Sequence, residues 1–173
     1  MGPVTNPRRL IVMRHAKAEP FASTDHSRRL TDRGAASARD AGAHLAAHGL
    51  VPDFAVVSSS ARTVATWDAV AEGSSADAQV SVDEAVYTGS ADVALESLRA
   101  APEQARTLIF VGHNPTAAYL VHLLDDSEGD PDALTRLMQG FPPGAVATFE
   151  VDGQWTSLGP ESGRLVDYYV GQG

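Results

Sequence analysis

Three runs of four apolar residues, Leu10-Ile11-Val12-Met13, Phe54-Ala55-Val56-Val57 and Leu108-Ile109-Phe110-Val111, are spaced along the chain with stretches of helical pattern between them. Unbroken apolar runs this short fit strands buried on both faces, and strands alternating with helices are the signature of βαβ units. The expected fold is therefore α/β: a three-layer α/β/α sandwich around a mostly parallel sheet. The 173 residues suffice for one core. A single domain is expected over residues 1–173, with residues 1–9 as a flexible tail.

Local signals place the remaining elements. Thr31 can cap a helix running through residues 33–48, which Gly49 stops. Arg62 opens a helix through Thr63, Trp67 and Val70 that ends near Glu72-Gly73-Ser74-Ser75, and a short strand comes next, around residues 80–82. Ser90 caps a helix over residues 91–101, terminated by Pro102. Asn114-Pro115 and Asp130-Pro131 each join a cap to a first-turn proline, and the second starts a helix that reaches Gln139. Residues 145–151, Asp152-Gly153 and residues 154–158 read as a β-hairpin, which adds an antiparallel C-terminal element to the sheet.

Each apolar run ends in residues that carry chemistry. The first leads into Arg14-His15-Ala16, the second into Ser58-Ser59-Ser60-Ala61-Arg62, and the third into Gly112-His113-Asn114-Pro115. In open α/β sheets ligands bind outside the carboxyl ends of the strands, where helix N-termini also point. Two arginines and two histidines converging there predict an anion site. The chain as a whole carries 22 acidic against 13 basic residues, a formal charge of -9. That balance repels nucleic acid and anionic membranes, so neither is expected as a partner, and the anion site must be a local positive island.

The wording Leu-Ile-Val-Met-Arg-His-Ala-Lys-Ala-Glu (residues 10–19) together with Val-Gly-His-Asn-Pro (residues 111–115) resembles the histidine phosphatase superfamily, and more narrowly its SixA-type phosphohistidine phosphatase branch. The resemblance implies a phosphoglycerate mutase-like fold. It matches Arg14 and His15 to the first motif, Arg62 to the second arginine and His113 to the second histidine. The loop Asp25-His26-Ser27-Arg28-Arg29-Leu30-Thr31-Asp32-Arg33-Gly34 is similar to the branch pattern Asp, a gap, Arg-Pro-Leu-Thr, then Gly; Arg28 takes the phosphate-facing position and Arg29 replaces the usual proline. Ala16 stands where the wider superfamily usually has glycine; the resemblance to the SixA-like branch accommodates it, since that branch tolerates alanine there.

These residues meet the needs of phosphoryl transfer, in-line attack plus charge stabilisation on three equatorial oxygens. His15 would attack phosphorus through a neutral ring nitrogen and form a phosphohistidine intermediate that water hydrolyses. Arg14, Arg62 and Arg28 would hold phosphoryl oxygens, with His113 donating from the opposite wall. Two cations about 4 Å apart repel by roughly 4 kcal/mol at an effective dielectric of 20, so the guanidinium groups bias free His15 towards neutral. A backbone carbonyl behind His15 is expected to set its tautomer.

The segment Val82-Asp83-Glu84-Ala85-Val86-Tyr87 resembles the part of the mutases and broad phosphatases that carries a catalytic glutamate, which makes Glu84 the candidate general acid. An alkoxide leaving group needs that proton, whereas an imidazole needs it far less.

Other chemistries find no support. Cysteine is absent, which excludes disulfides, thiolate metal sites and cysteine-based phosphatase chemistry. No His-Glu-x-x-His spacing, Gly-x-Ser-x-Gly elbow or Walker A lysine motif occurs, so no metal or other cofactor is expected. The start has neither an h-region nor a myristoylation signal, and a cytoplasmic location is expected. The expected function is metal-independent removal of phosphate from a phosphohistidine-bearing protein. The alternatives are a phosphomonoesterase acting on a small phosphorylated molecule and a non-catalytic phosphate- or phosphoprotein-binding module.

Overall fold

A computed structural model describes residues 6–173. Residues 1–5 of the expected tail lie outside the described residues. The first strand, β1 (Arg8–Arg14), starts two residues before the apolar run. Arg8 and Arg9 extend it because they pair with Val151 and Glu150 of the neighbouring strand, and Arg9 meets the Glu150 carboxylate at 3.5 Å. Both residues therefore belong to the sheet and not to a tail.

The chain continues through α1 (Asp32–Ala47), β2 (Phe54–Ser58), α2 (Ala61–Ser74), β3 (Gln79–Asp83), α3 (Glu84–Thr88), α4 (Ala91–Arg99), β4 (Thr107–Gly112), α5 (Thr116–Leu124), α6 (Pro131–Met138), β5 (Ala145–Val151) and β6 (Arg164–Val170). The six strands form one sheet in the order β3-β2-β4-β1-β5-β6. The first four run parallel, while β5 and β6 are antiparallel to their neighbours.

Alternation along the strands divides the core in two. Leu10, Val12, Val56, Leu108 and Phe110 face α4, α5 and α6 on one side. Ile11, Met13, Ala55, Val57, Ile109 and Val111 face α1 and α2 on the other. Burial on both faces is why these runs carry no polar residue. Each fully buried side chain of this size contributes about 1.5–3 kcal/mol.

Two of the expected side-chain caps form, whereas Ser90 precedes α4 without a side-chain cap hydrogen bond. Thr31 accepts the Gly34 amide and Asp130 the Ala133 amide. Helix α2 runs through Gly73, where the sequence suggests a loop, because a glycine is needed inside it: a Cβ there would lie 2.0 Å from Arg39 O of α1. Helix α5 starts at Thr116, with Asn114 capping from one residue further out through its Oδ1, which accepts the Ala118 amide at 3.2 Å.

The expected C-terminal hairpin needs correction. Residues 154–158 do not form a strand: Trp155–Ser157 is a 3-10 turn that buries the indole, whose Nε1–H donates to Ala105 O at 3.0 Å. The partner of β5 is the later strand β6. The antiparallel element stands, but apolar burial of one large ring outweighs the local Asp-Gly turn signal.

Candidate active site

The parallel strands β1, β2 and β4 lie side by side and deliver their ends to one place. Arg14 is in register with Gly112, so His15 and His113 leave adjacent strands together, and the His15 amide donates to Gly112 O at 2.9 Å. The two imidazole centroids are 5.5 Å apart. Arg62, in the first turn of α2, reaches the same point, and its Nη2 lies 3.3 Å from His113 Nδ1. The quartet expected from sequence is thus assembled.

His15 Nδ1 lies 2.8 Å from Ala16 O. A carbonyl only accepts, so Nδ1 carries the proton and the lone pair of the neutral ring is on Nε2. The Ala16 peptide is itself anchored, because its buried amide donates to Thr66 Oγ1 at 3.1 Å while that hydroxyl donates to Arg62 O at 2.7 Å. The expected carbonyl is therefore present, and a residue of α2 anchors the backbone next to it. Burial first, and the Arg62, Arg14 and Arg28 charges after it, push the His15 pKa down to about 4, against the Ala16 hydrogen bond.

His113 has the opposite tautomer. Arg62 Nη2 can only donate, so Nδ1 of His113 accepts, and Nε2–H donates to Ser58 Oγ at 2.7 Å. Burial, with the Arg62 charge second, lowers its pKa to about 4 as well. Ser58 is the last residue of β2 and fully buried. Of the three consecutive serines 58–60, it orients the second histidine; Ser60 caps α2, and Ser59 Oγ pairs with His26 Nε2 at 3.0 Å.

Arg14 donates through Nη1 to Phe141 O at 3.2 Å, and Asn114 Nδ2 donates to the same oxygen at 3.0 Å. The Nε atoms of Arg14 and Arg62 are buried without a hydrogen-bond partner. Both guanidinium groups thus retain donor capacity. Arg28 is also drawn in: its Nε donates to Asp25 Oδ1 at 3.1 Å and its Nη1 to Glu19 O at 3.1 Å. Its charge lowers the pKa of both histidines. The loop keeps its course with Arg29 in place of proline, since Glu19 N donates to Arg29 O at 2.7 Å and Ala18 bridges Leu30.

Glu84 is not brought in. It opens α3 as an exposed residue, and its side chain makes no hydrogen bond or ion pair with the quartet. One turn later, Tyr87 does arrive, its ring 5.6 Å from His113 and its hydroxyl 2.6 Å from Asp25 Oδ2. Neither Asp25 nor Tyr87 stands out in the sequence as a site residue, although Asp25 lies three residues before Arg28 in the same loop. Among the described residues no group of three or more His, Asp or Glu is placed to hold a metal ion. A cavity of about 480 Å³ beside β3 and α4, lined by residues such as Phe54, Ser81 and Val93, contains none of the quartet.

The sequence profile of the histidine phosphatase superfamily (branch 1) matches residues 10–87. An uncharacterized protein of Mycobacterium leprae is 30% identical over 163 residues, covering 91% of this chain and 99% of that one. A solved structure from Nakamurella multipartitia, provisionally described as a phosphohistidine phosphatase SixA, is 32% identical with a TM-score of 0.82, covering 96% of this chain and 99% of that one. The chain belongs to the histidine phosphatase superfamily. A protein histidine phosphatase SixA complexed with tungstate shares the fold at a TM-score of 0.76 and 22% identity, over 94% of this chain and 96% of that one. Superfamily membership and these neighbours support a phosphatase. Among the described residues no helix is long and apolar enough to cross a membrane.

Proposed function

We propose that this protein is a metal-independent phosphatase that removes the phosphoryl group from protein-borne phosphohistidine through a covalent intermediate on His15. The observation that carries the reading is the 2.8 Å contact between His15 Nδ1 and Ala16 O, which leaves Nε2 as a free nucleophile among three guanidinium groups. Nε2 attacks phosphorus while the P–N bond to the substrate ring breaks and its electron pair departs with that ring. Water then attacks the phosphorus on His15, releasing orthophosphate and restoring the lone pair. Arg14, Arg28 and Arg62 stabilise the charge on the equatorial oxygens in both steps.

The choice of leaving group rests on proton supply. Asp25 is held near 2 and both histidines near 4, while Tyr87 is raised above its usual value, so none of these is an acid poised near neutrality. Glu84 is exposed and makes no hydrogen bond or ion pair with the quartet. An alkoxide would leave poorly from such a site. A phosphohistidine whose other ring nitrogen is protonated departs as neutral imidazole, with a conjugate acid of pKa about 6.5, and needs no such donor.

The test compares histidine-phosphorylated protein with alkyl phosphomonoesters in the presence of a chelator. The reading expects turnover of the first, poor turnover of the second, and a silent Glu84→Gln. Preferred hydrolysis of alkyl esters that collapses in Glu84→Gln contradicts it and favours the small-molecule phosphomonoesterase.

A further inference from the structure

The Asp25 carboxylate, 56% exposed, lies at the rim of the guanidinium cluster and joins two of its members. Its Oδ2 accepts from Arg62 Nη2 at 3.1 Å and from the Tyr87 hydroxyl at 2.6 Å, its Oδ1 accepts from Arg28 Nε at 3.1 Å, and its backbone oxygen accepts from Arg62 Nη1 at 2.8 Å. An anion in a site built for anions opposes ligand binding through space. Its presence there calls for a compensating role.

Arg62 is nearly buried, with its side chain 7% exposed, and comes from α2; Arg28 comes from an exposed loop that has no helix or strand to hold it. Asp25 is the group that both cations share. Tyr87, from α3, holds that carboxylate from a third direction while its ring lies against His113 and, edge-on at 4.8 Å, against His26. The loop is pinned on the same side by Ala61 N donating to His26 O at 2.9 Å and by the His26–Ser59 pair.

We infer that Asp25, locked by Tyr87, is a positioning residue of the phosphoryl site: its carboxylate bridges Arg28 and Arg62 and sets where their remaining donors meet the phosphoryl oxygens. Bidentate and bridged guanidinium groups lose little freedom when an oxyanion arrives, so the interaction is available in full at the transition state. The carboxylate stays ionised well into acid as well as in the neutral range, because the Tyr87 hydrogen bond and then Arg62 hold its pKa near 2. This inference concerns the same site as the phosphatase reading, but its binding test does not depend on that reading.

The experiment measures tungstate affinity by calorimetry, and kcat and KM on histidine-phosphorylated protein, for the full chain and its Asp25→Ala, Asp25→Asn and Tyr87→Phe variants. Asp25→Ala is expected to weaken tungstate by about tenfold and to lower kcat/KM by up to about 10²-fold, chiefly in kcat. Asp25→Asn keeps the shape and one accepting oxygen, and should recover part of the loss. Tyr87→Phe removes no charge, and should shift both quantities in the same direction by a smaller factor. If the carboxylate is only a counter-charge, Asp25→Ala and Asp25→Asn bind tungstate alike and at least as tightly as wild type, and Tyr87→Phe is silent; that pattern overturns the inference. Absent turnover in wild type, with tungstate still weakened by Asp25→Ala, sinks the phosphatase reading and leaves this one standing. Melting temperatures of the variants exclude misfolding, and an unfolded Asp25→Ala leaves the Asn and Phe variants to decide.

Discussion

His15 and Ala16 are joined by more than a peptide bond: the ring Nδ1 of the first lies 2.8 Å from the carbonyl oxygen of the second, and that contact decides which nitrogen is able to attack. The backbone next to that carbonyl is anchored, because Thr66 Oγ1 accepts the Ala16 amide hydrogen bond. A short chain of hydrogen bonds thus connects a helix residue to the choice of nucleophile.

Replacing Thr66 with Val tests that chain. The Ala16 amide, fully buried, loses its acceptor, which costs about 1–3 kcal/mol. Urea titration should show this loss, and kcat should fall further than stability explains, since the backbone that presents the carbonyl to His15 Nδ1 is no longer anchored. A variant that is destabilised yet keeps wild-type kcat contradicts the link.

Ser58→Ala addresses the second histidine. Its hydroxyl accepts the hydrogen bond from His113 Nε2–H, and without it only the Arg62 contact at Nδ1 still orients the ring. The expected result is a fall in kcat of about tenfold, with little change in KM. Unaltered kinetics would assign Ser58 to packing alone.

Acid sensitivity arises from the two histidines. In the unfolded chain each titrates near 6.5, and in the folded chain near 4. The unfolded state therefore takes up protons first as pH falls. Stability is full above about pH 6.5, declines as pH drops towards 4, and levels off below it with respect to these groups. Asp25 adds a smaller loss at lower pH, between its usual 3.8 and about 2. Denaturant midpoints across this range should show the decline, and the His15 and His113 imidazoles of the folded protein should stay neutral down to about pH 5 in resonance titrations. Midpoints near 6.5 for both rings would remove the electrostatic basis of the mechanism.

Much of the fold and the quartet is legible in the residues. The apolar runs ending at Met13, Val57 and Val111 mark the parallel core, and the residues after them include Arg14, His15, Arg62 and His113, because strand direction alone gathers such ends. The features that escape such reading depend on contacts distant in sequence. Tyr87 meets Asp25 across 62 positions. The pairing of β5 with β6 skips the Asp152-Gly153 turn because Trp155 must be buried. Similarity of its segment points to Glu84, yet the turn of α3 presents Tyr87 to the site and leaves Glu84 in solvent.

The mechanism stands or falls on phosphorus passing through Nε2 of His15. Rapid alkaline quench of the enzyme with radiolabelled phosphohistidine protein, with peptide mapping of the quenched enzyme, measures that passage. An acid-labile, alkali-stable label should appear on the peptide carrying His15 and be absent from His15→Ala, which should also be inactive. Normal turnover with no label on that peptide at any quench time, or a working His15→Ala enzyme, would refute the covalent route.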